Sequence, residues 1–390
     1  SNPDNDSGEL SGRNAVYRTT ENLIEQAVRT DNSTLIESPP SSGKTTSTFK
    51  IAQRSDEKFV YLTKRGDLYE QAESLSREHD LSPKVIPSPH RNCPCFDEED
   101  PRFDPEATSL YDLGVSAARI HVELDLDCCP NCEFLEEREA FEAESVDILI
   151  GHYKHAYLSP LIEDRVVIID EFPGGSFDRE FNNADEMIAR FLRNEDAIPY
   201  DDFWDLLENR DDLNRAETVY TWFRRNGVGI DDKTIIEAKE NDRYHTLAPF
   251  LVFTVLSTQK HENGFEIPWF NLTDIEAGFK HSTLPAGLET ERMATVDRER
   301  QSIHVLTPPD LSSARRVVGL DGTPTLMMWE LATGEDFNQL SVLNGEKEMK
   351  TYVRDVLGIT VKQTNDSLKP YHGGDVTVNR DEAILYGVEV

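Results

Sequence analysis

Short apolar runs punctuate the chain: TLIES at 34–38, KFVYLT at 58–63, KVIPS at 84–88, DILIGH at 147–152, RVVIID at 165–170 and RRVVGLD at 315–321. They are continuous rather than alternating, the pattern of strands covered on both faces in a parallel sheet. Helical periodicity fills the spaces between them, beginning with ENLIEQAVRT at 21–30. Strands alternating with helices predict an α/β domain built on a parallel sheet.

Two long interruptions break the alternation. Residues 89–146 hold every cysteine of the chain. Residues 176–314 carry a mainly helical pattern, with helices expected near 183–194, 201–209, 214–225 and 244–257 and room for a small core of their own. The main domain is therefore expected to comprise 14–88, 147–175 and 315–340. The polar, Gly- and Ser-rich residues 1–13 read as a frayed tail. Strand-like runs return in 341–390 (ITVKQT, SLKPYHGGDVTV and AILYGVEV), predicting the start of a second lobe or a C-terminal extension. The chain opens on Ser and stops after a strand, so part of a longer protein is expected.

Charge changes the picture in one respect. Among 390 residues, 74 Asp and Glu oppose 40 Lys and Arg, for a formal net charge of −34. The acids are spread through periodic elements such as ADEMIARFLRN, which marks a solvated surface rather than a disordered tail. Such a chain repels itself in dilute salt, and a cytoplasm at molar salt, where the Debye length shrinks to about 3 Å, relieves the repulsion. The composition resembles that of proteins from halophilic archaea. In that setting net charge says little about nucleic-acid binding. No run approaches the roughly 20 apolar residues of a membrane span, and the start lacks a signal pattern, so a soluble cytoplasmic protein is expected.

The chemistry begins where the first apolar run ends. Ser38, Pro39, Pro40, Ser41, Ser42, Gly43, Lys44, Thr45 and Thr46 lie between a strand and a helix, the context a phosphate-binding P-loop requires. Such a loop turns backbone N–H groups toward phosphate at a helix N-terminus. The lysine neutralises the β- and γ-phosphates, and the hydroxyl of Thr45 binds Mg²⁺. Ser38 stands where the first glycine of the motif is usual, and two prolines stiffen the loop. RVVIIDEFP supplies the partner: Asp170 to hold hydrated Mg²⁺ and Glu171 to polarise the attacking water. ATP and Mg²⁺ are thus the expected ligands, with Lys44, Asp170 and Glu171 as catalytic residues.

Order along the chain adds a resemblance. KFVYLTKRGDLYEQAESL resembles the motif Ia region of superfamily two helicases, DEFP their DEAH-type acidic box, and VVGLDGTPTL their motif III. A cysteine-rich insertion between P-loop and acidic box, followed by DILIGHYKHAYLSP, resembles the XPD/DinG group of DNA helicases. The resemblance covers roughly 17–335, specific in its order and loose in its letters. It implies a RecA-like motor lobe interrupted by an iron-sulfur module and a helical arch-like insertion. It also implies single-stranded or forked DNA gripped by Thr63, Lys64 and Arg65, with Gln71 a further candidate, and ATP turnover coupled through Asp321, Gly322 and Thr323 next to Pro324. A second RecA-like lobe is implied elsewhere in the full-length chain. Phe172 and Pro173 replace the usual Ala-His, which touches coupling rather than ATP binding. The arginine-bearing motif of a second lobe is not found in this stretch.

The cysteines fall at Cys93, Cys95, Cys128, Cys129 and Cys132. In a reducing cytosol such pairs read as a metal site rather than disulfides. The favoured set is Cys93, Cys95, Cys129 and Cys132, with Cys128, His90 and His121 in reserve. Paired short spacings favour Zn²⁺; position in the helicase plan implies a 4Fe-4S cluster. His152, Tyr153 and His155 read equally as strand-end packing or as a DNA contact. Trp204, Tyr220, Trp222 and Phe223, near Arg224 and Arg225, read first as core and second as a base-stacking surface. Tyr17 reads as packing or as an adenine platform. The reading is an ATP-dependent DNA helicase lobe. Its rivals are a P-loop regulatory or interaction module with structural zinc, and a nuclease or replication-origin factor that keeps its P-loop for assembly.

Overall fold

The computed structural model of the chain describes residues 12–64, 67–112, 115–126, 132–143, 146–227, 244–245, 247–257, 270–271, 293–297, 301–306 and 308–359. The chain divides into two compact units, Asn14–Leu343 and a second made of 1–13 with 344–390.

In the larger unit, α1 (Arg13–Arg29) turns Val16, Thr20, Ile24, Ala27 and Val28 inward at spacings of three and four, one stripe of a helix. It leads into β1 (Thr34–Glu37), α2 (Lys44–Arg54), β2 (Lys58–Leu62), α3 (Asp67–Glu78) and β3 (Pro83–Val85). The cysteine-bearing insertion follows as α4 (Pro89–Asn92), α5 (Pro105–Asp112), α6 (Ala117–Leu124) and α7 (Glu133–Glu139). The chain then returns to the sheet with β4 (Ile148–Gly151), α8 (Ser159–Ile162) and β5 (Arg165–Asp170). Every residue of β5 is buried, as its β-branched run requires.

The second insertion opens with β6 (Asp178–Phe181), α9 (Ala184–Asn194), α10 (Phe203–Glu208) and α11 (Leu213–Asn226). The helix Ala248–Ser257, buried at every position, packs against α9, α10 and α11. Strands β7 (Phe270–Asn271), β8 (Met293–Asp297) and β9 (Ser302–Leu306) follow, before β10 (Arg316–Asp321), the helix Leu326–Thr333 and β11 (Asn338–Ser341) complete the unit.

The main sheet has seven strands in the order β11-β1-β10-β5-β2-β4-β3, all pairs parallel. This is an α/β lobe on a parallel sheet, the RecA-like architecture expected, and the apolar runs are its strands. Arg165 enters β5 with its guanidinium buried, yet it is satisfied: it donates to the carbonyls of Phe59 and Val146 at 3.1 Å each and to that of Ala143.

Three features depart from the sequence reading. The segment 176–314, expected to be mainly helical, also carries a four-stranded antiparallel sheet of β6, β9, β8 and β7. Its helices do not keep a separate core: Phe191, Phe223 and Phe253 belong to one buried cluster with Phe96, Ile120 and Phe134 of the cysteine insertion. The last stretch of the expected lobe also holds a strand, β11, whose polar NQLS gave no apolar run because it lies exposed on the sheet edge. In the smaller unit the described part is a short helix, Glu346–Thr351, and a π-helical turn, Tyr352–Val356. The strands expected in 360–390 lie outside the described residues, as does most of the expected tail. Among the described residues no helix is long and apolar enough to cross a membrane.

Candidate functional site

The loop Ser38–Gly43 leaves the carboxyl end of β1 and enters α2. Ser38, in place of the usual glycine, is fully buried, and its hydroxyl closes the loop on Ser42 Oγ at 2.6 Å and on Thr20 Oγ1 of α1 at 3.1 Å. Ser42 N donates to Pro39 O at 3.3 Å. Gly43 takes φ +81°, and a Cβ there would stand 2.0 Å from the Tyr17 ring. Tyr17 therefore lies against the loop at Gly43. The N-cap of α2 is Gly43, which offers no capping side chain, so the first-turn N–H groups face the loop uncapped, an arrangement that suits an anion. Lys44, Thr45 and Thr46 form that first turn.

The acidic box meets this loop although β1 and β5 are not adjacent: β10 lies between them. Lys44 Nζ reaches Glu171 Oε1 at 2.7 Å. Glu171 holds a left-handed backbone at φ 69°, a strained position for a non-glycine residue and one found at functional sites. Asp170 is buried, and its Oδ1 makes no hydrogen bond among the described residues. The Tyr61 hydroxyl of β2 donates to Asp170 Oδ2 and lies 3.4 Å from Thr45 Oγ1, so one phenol stands between the two groups expected to share Mg²⁺. Burial pushes the Asp170 pKa up, against the lowering effects of the Tyr61 hydrogen bond and the Lys44 charge. Tyr61 itself is raised far above the usual phenol value by burial and then by Asp170. The Tyr153 hydroxyl holds the backbone of the box, donating to Asp170 O at 2.5 Å and to Glu171 O at 3.2 Å.

The end of β10 touches both halves of the site. Ser38 N donates to Asp321 O, and Glu171 N to Leu320 O, each at 2.7 Å. Asp321 in turn accepts from Trp329 Nε1 at 2.9 Å and from Thr323 N at 3.1 Å. Gly322 passes the carbonyl of Ser38, 3.9 Å from where a Cβ would stand. Phe172, one residue before the position expected to link the acidic box to this strand, packs edge-on against Trp329 with ring centroids 5.8 Å apart.

Elsewhere the expected residues separate. Thr63 is buried with its N–H on Gly151 O at 2.9 Å, while Lys64 and Gln71 are exposed; Arg65 lies outside the described residues. His152 Nδ1 accepts from Lys154 N at 3.1 Å and His155 Nδ1 from His152 N at 3.0 Å, an arrangement that ends the strand and turns the chain. Burial depresses both imidazoles to about 4, helped at His152 by Lys154 and Lys64 and at His155 by His152. Tyr220 and Phe223 are buried in the insertion core, Trp222 packs on Phe191, and Trp204 is exposed.

Among the cysteines, Cys93 and Cys132 converge with His121, all buried, with their ligand atoms within 4.8 Å of one another. This group can hold a metal ion. Cys95 is buried but stands outside the group, and Cys128 and Cys129 lie outside the described residues. Tyr61 and Trp329 carried no weight in the sequence reading; a hydroxyl-bearing tyrosine inside an otherwise apolar buried run, FVYL, was the available signal for the first.

No protein-family profile matches the chain, and no curated protein does. Among solved structures, one titled "XPD_Helicase" aligns over 84% of this chain and 62% of its own, at 10% identity and a TM-score of 0.40. "Truncated XPD" aligns over 83% of this chain and 99% of its own, at 10% identity and a TM-score of 0.36. "Structure of S. tokodaii Xpd4" aligns over 83% and 60%, at 11% identity and a TM-score of 0.30. The chain thus spans about 62% of the first of these.

Proposed function

We propose that this chain is the ATP-binding motor lobe of a cytoplasmic DNA helicase of the XPD/DinG type, acting on single-stranded or forked DNA together with a second RecA-like lobe. The observation that carries the reading is the meeting of Lys44, Glu171, Thr45 and Asp170 at one edge of the sheet, with Asp170 Oδ1 buried and lacking a hydrogen bond among the described residues. An orphaned carboxylate oxygen beside a P-loop hydroxyl fits a divalent cation, and Mg²⁺ supplies charge neutralisation for the phosphates there.

On this reading the triphosphate lies along the first turn of α2, and Lys44 exchanges Glu171 for the β- and γ-phosphates. Glu171, released, accepts a proton from the water whose oxygen bonds to the γ-phosphorus while the bond to the β–γ bridging oxygen breaks. The carbonyls at the end of β10 hold Ser38 and Glu171 together and support coupling to DNA through Asp321 and Thr323. Thr63 is buried, so the DNA grip falls to Lys64 and Arg65. The Cys93–His121–Cys132 group holds a metal, an iron-sulfur cluster or zinc.

The test is ATP binding and ATPase activity, with and without single-stranded DNA, in the full-length protein. ATP hydrolysis stimulated by DNA and abolished by Lys44→Ala, with the unfolding transition of that variant unchanged, is expected. ATP binding without any DNA response would favour the regulatory module, and nucleotide affinity unchanged by Lys44→Ala would remove the site.

A further inference from the structure

The resemblance to iron-sulfur helicases implies four thiolates on a four-iron cube, and the described residues depart from that plan. Cys93 Sγ lies 3.3 Å from His121 Nε2, and both lie within 4.8 Å of Cys132 Sγ. Around one tetrahedral ion, with sulfur at about 2.3 Å and nitrogen at about 2.0 Å, such neighbours stand about 3.6 Å apart. On a four-iron cube each thiolate caps a different iron and points away from the centre, so ligating atoms are spread more widely than around one ion. The spacing here suits the single ion.

His121 is held as a ligand would be. Its Nδ1 lies 2.6 Å from the carbonyl oxygen of Ala117, one turn earlier on α6. A carbonyl only accepts, so Nδ1 carries the proton and Nε2 presents its lone pair toward Cys93, the outer arrangement that fixes metal-binding histidines. Phe96 and Phe134 each stack on the imidazole, at centroid distances of 5.8 and 6.2 Å and interplanar angles of 26° and 25°. A thiol–imidazole hydrogen bond in a packed core would account for Cys93 and His121 alone. It gives no reason for the second sulfur, at the start of α7, to converge on the same point.

We propose that Cys93, Cys132 and His121, the last through Nε2, supply three of the four ligands of a single tetrahedral metal ion of the zinc class in place of a four-iron cluster. Binding releases the two thiol protons and sets two thiolates and a neutral imidazole around a dication. The ion ties the turn after α4 to α6 and α7, a structural rather than a redox part. The inference rests on reading this group as a metal site and is independent of the nucleotide site.

The test uses the full chain purified without oxygen. Iron, zinc and acid-labile sulfide are assayed, and X-ray absorption is recorded at the zinc edge. One zinc per chain, no sulfide, and a metal shell containing an imidazole nitrogen beside sulfur are expected. Exchange for Co²⁺ is expected to give the visible bands of a tetrahedral thiolate site, and His121→Ala to shift them and weaken Co²⁺ binding by at least about tenfold. An iron- and sulfide-bearing chromophore or an all-sulfur shell would overturn the proposal. Failure to take up Zn²⁺ or Co²⁺ would overturn it and the metal reading together. Affinity for MgATP in the same preparation reports separately on the motor site. The nitrogen signal comes from the unaltered protein, so a misfolded variant cannot shield the proposal.

Discussion

Asp170 carries its carboxylate where burial pushes the pKa up while the Tyr61 hydroxyl and Lys44 pull it back. A raised pKa in the folded chain favours the protonated acid, so this group's contribution to stability is complete below the ordinary aspartate value of 3.8 and is lost as pH rises through the folded one. Magnesium needs the ionised form. Affinity for Mg-nucleotide should therefore fall on acidification at a higher pH than an ordinary aspartate would give. Tyr61→Phe removes a lowering partner and should move that midpoint upward and weaken Mg-nucleotide binding several-fold at neutral pH; titration calorimetry across pH checks both, and an unmoved midpoint would sink the role given to Tyr61. His152 and His155 behave oppositely. Their folded pKa values, about 4 against an ordinary 6.5, give stability that is complete above 6.5 and lost as pH falls toward about 4. The urea midpoint should drop across that window, with a shallower drop in His155→Asn; equal slopes would show that other groups are responsible.

Among the elements, β10 has the most consequential place, because it separates the strand of the P-loop from the strand of the acids and bonds to the ends of both. Its Asp321 anchors the Trp329 indole, and Phe172 rests on that indole. Phe172→Ala should leave ATP affinity nearly unchanged while reducing DNA stimulation of hydrolysis; an undiminished stimulation ratio would disconnect Phe172 from coupling. Much of this was legible in the sequence. Parallel strands buried on both faces must be apolar throughout, so TLIE, KFVYL, ILIG, RVVIID and RVVGLD announced themselves, and the P-loop and acidic box sit at their carboxyl ends. The edge strand β11 and the antiparallel sheet of the second insertion did not, since exposed or one-sided strands carry shorter and more polar runs. His121 could only be held in reserve. Its selection over Cys95 depends on how α6 packs between Phe96 and Phe134, which no local spacing encodes.

For the whole molecule, a formal charge of −34 is a long-range repulsion that individual ion pairs do not cancel. Raising the salt from 0.1 M to 1 M shortens the Debye length from about 10 Å to about 3 Å. The thermal unfolding midpoint should therefore climb with KCl over this range, and a flat dependence would remove the halophilic reading. The common buried cluster of the two insertions has a mechanical corollary. The chain leaves the sheet after β3, comes back for β4 and β5, leaves again after the acids, and returns at β10, yet both excursions end in the same packed interior. A force on either excursion is therefore delivered to roots on both sides of β5. Two insertions rooted this way would swing as one lever, with β5 at its fulcrum.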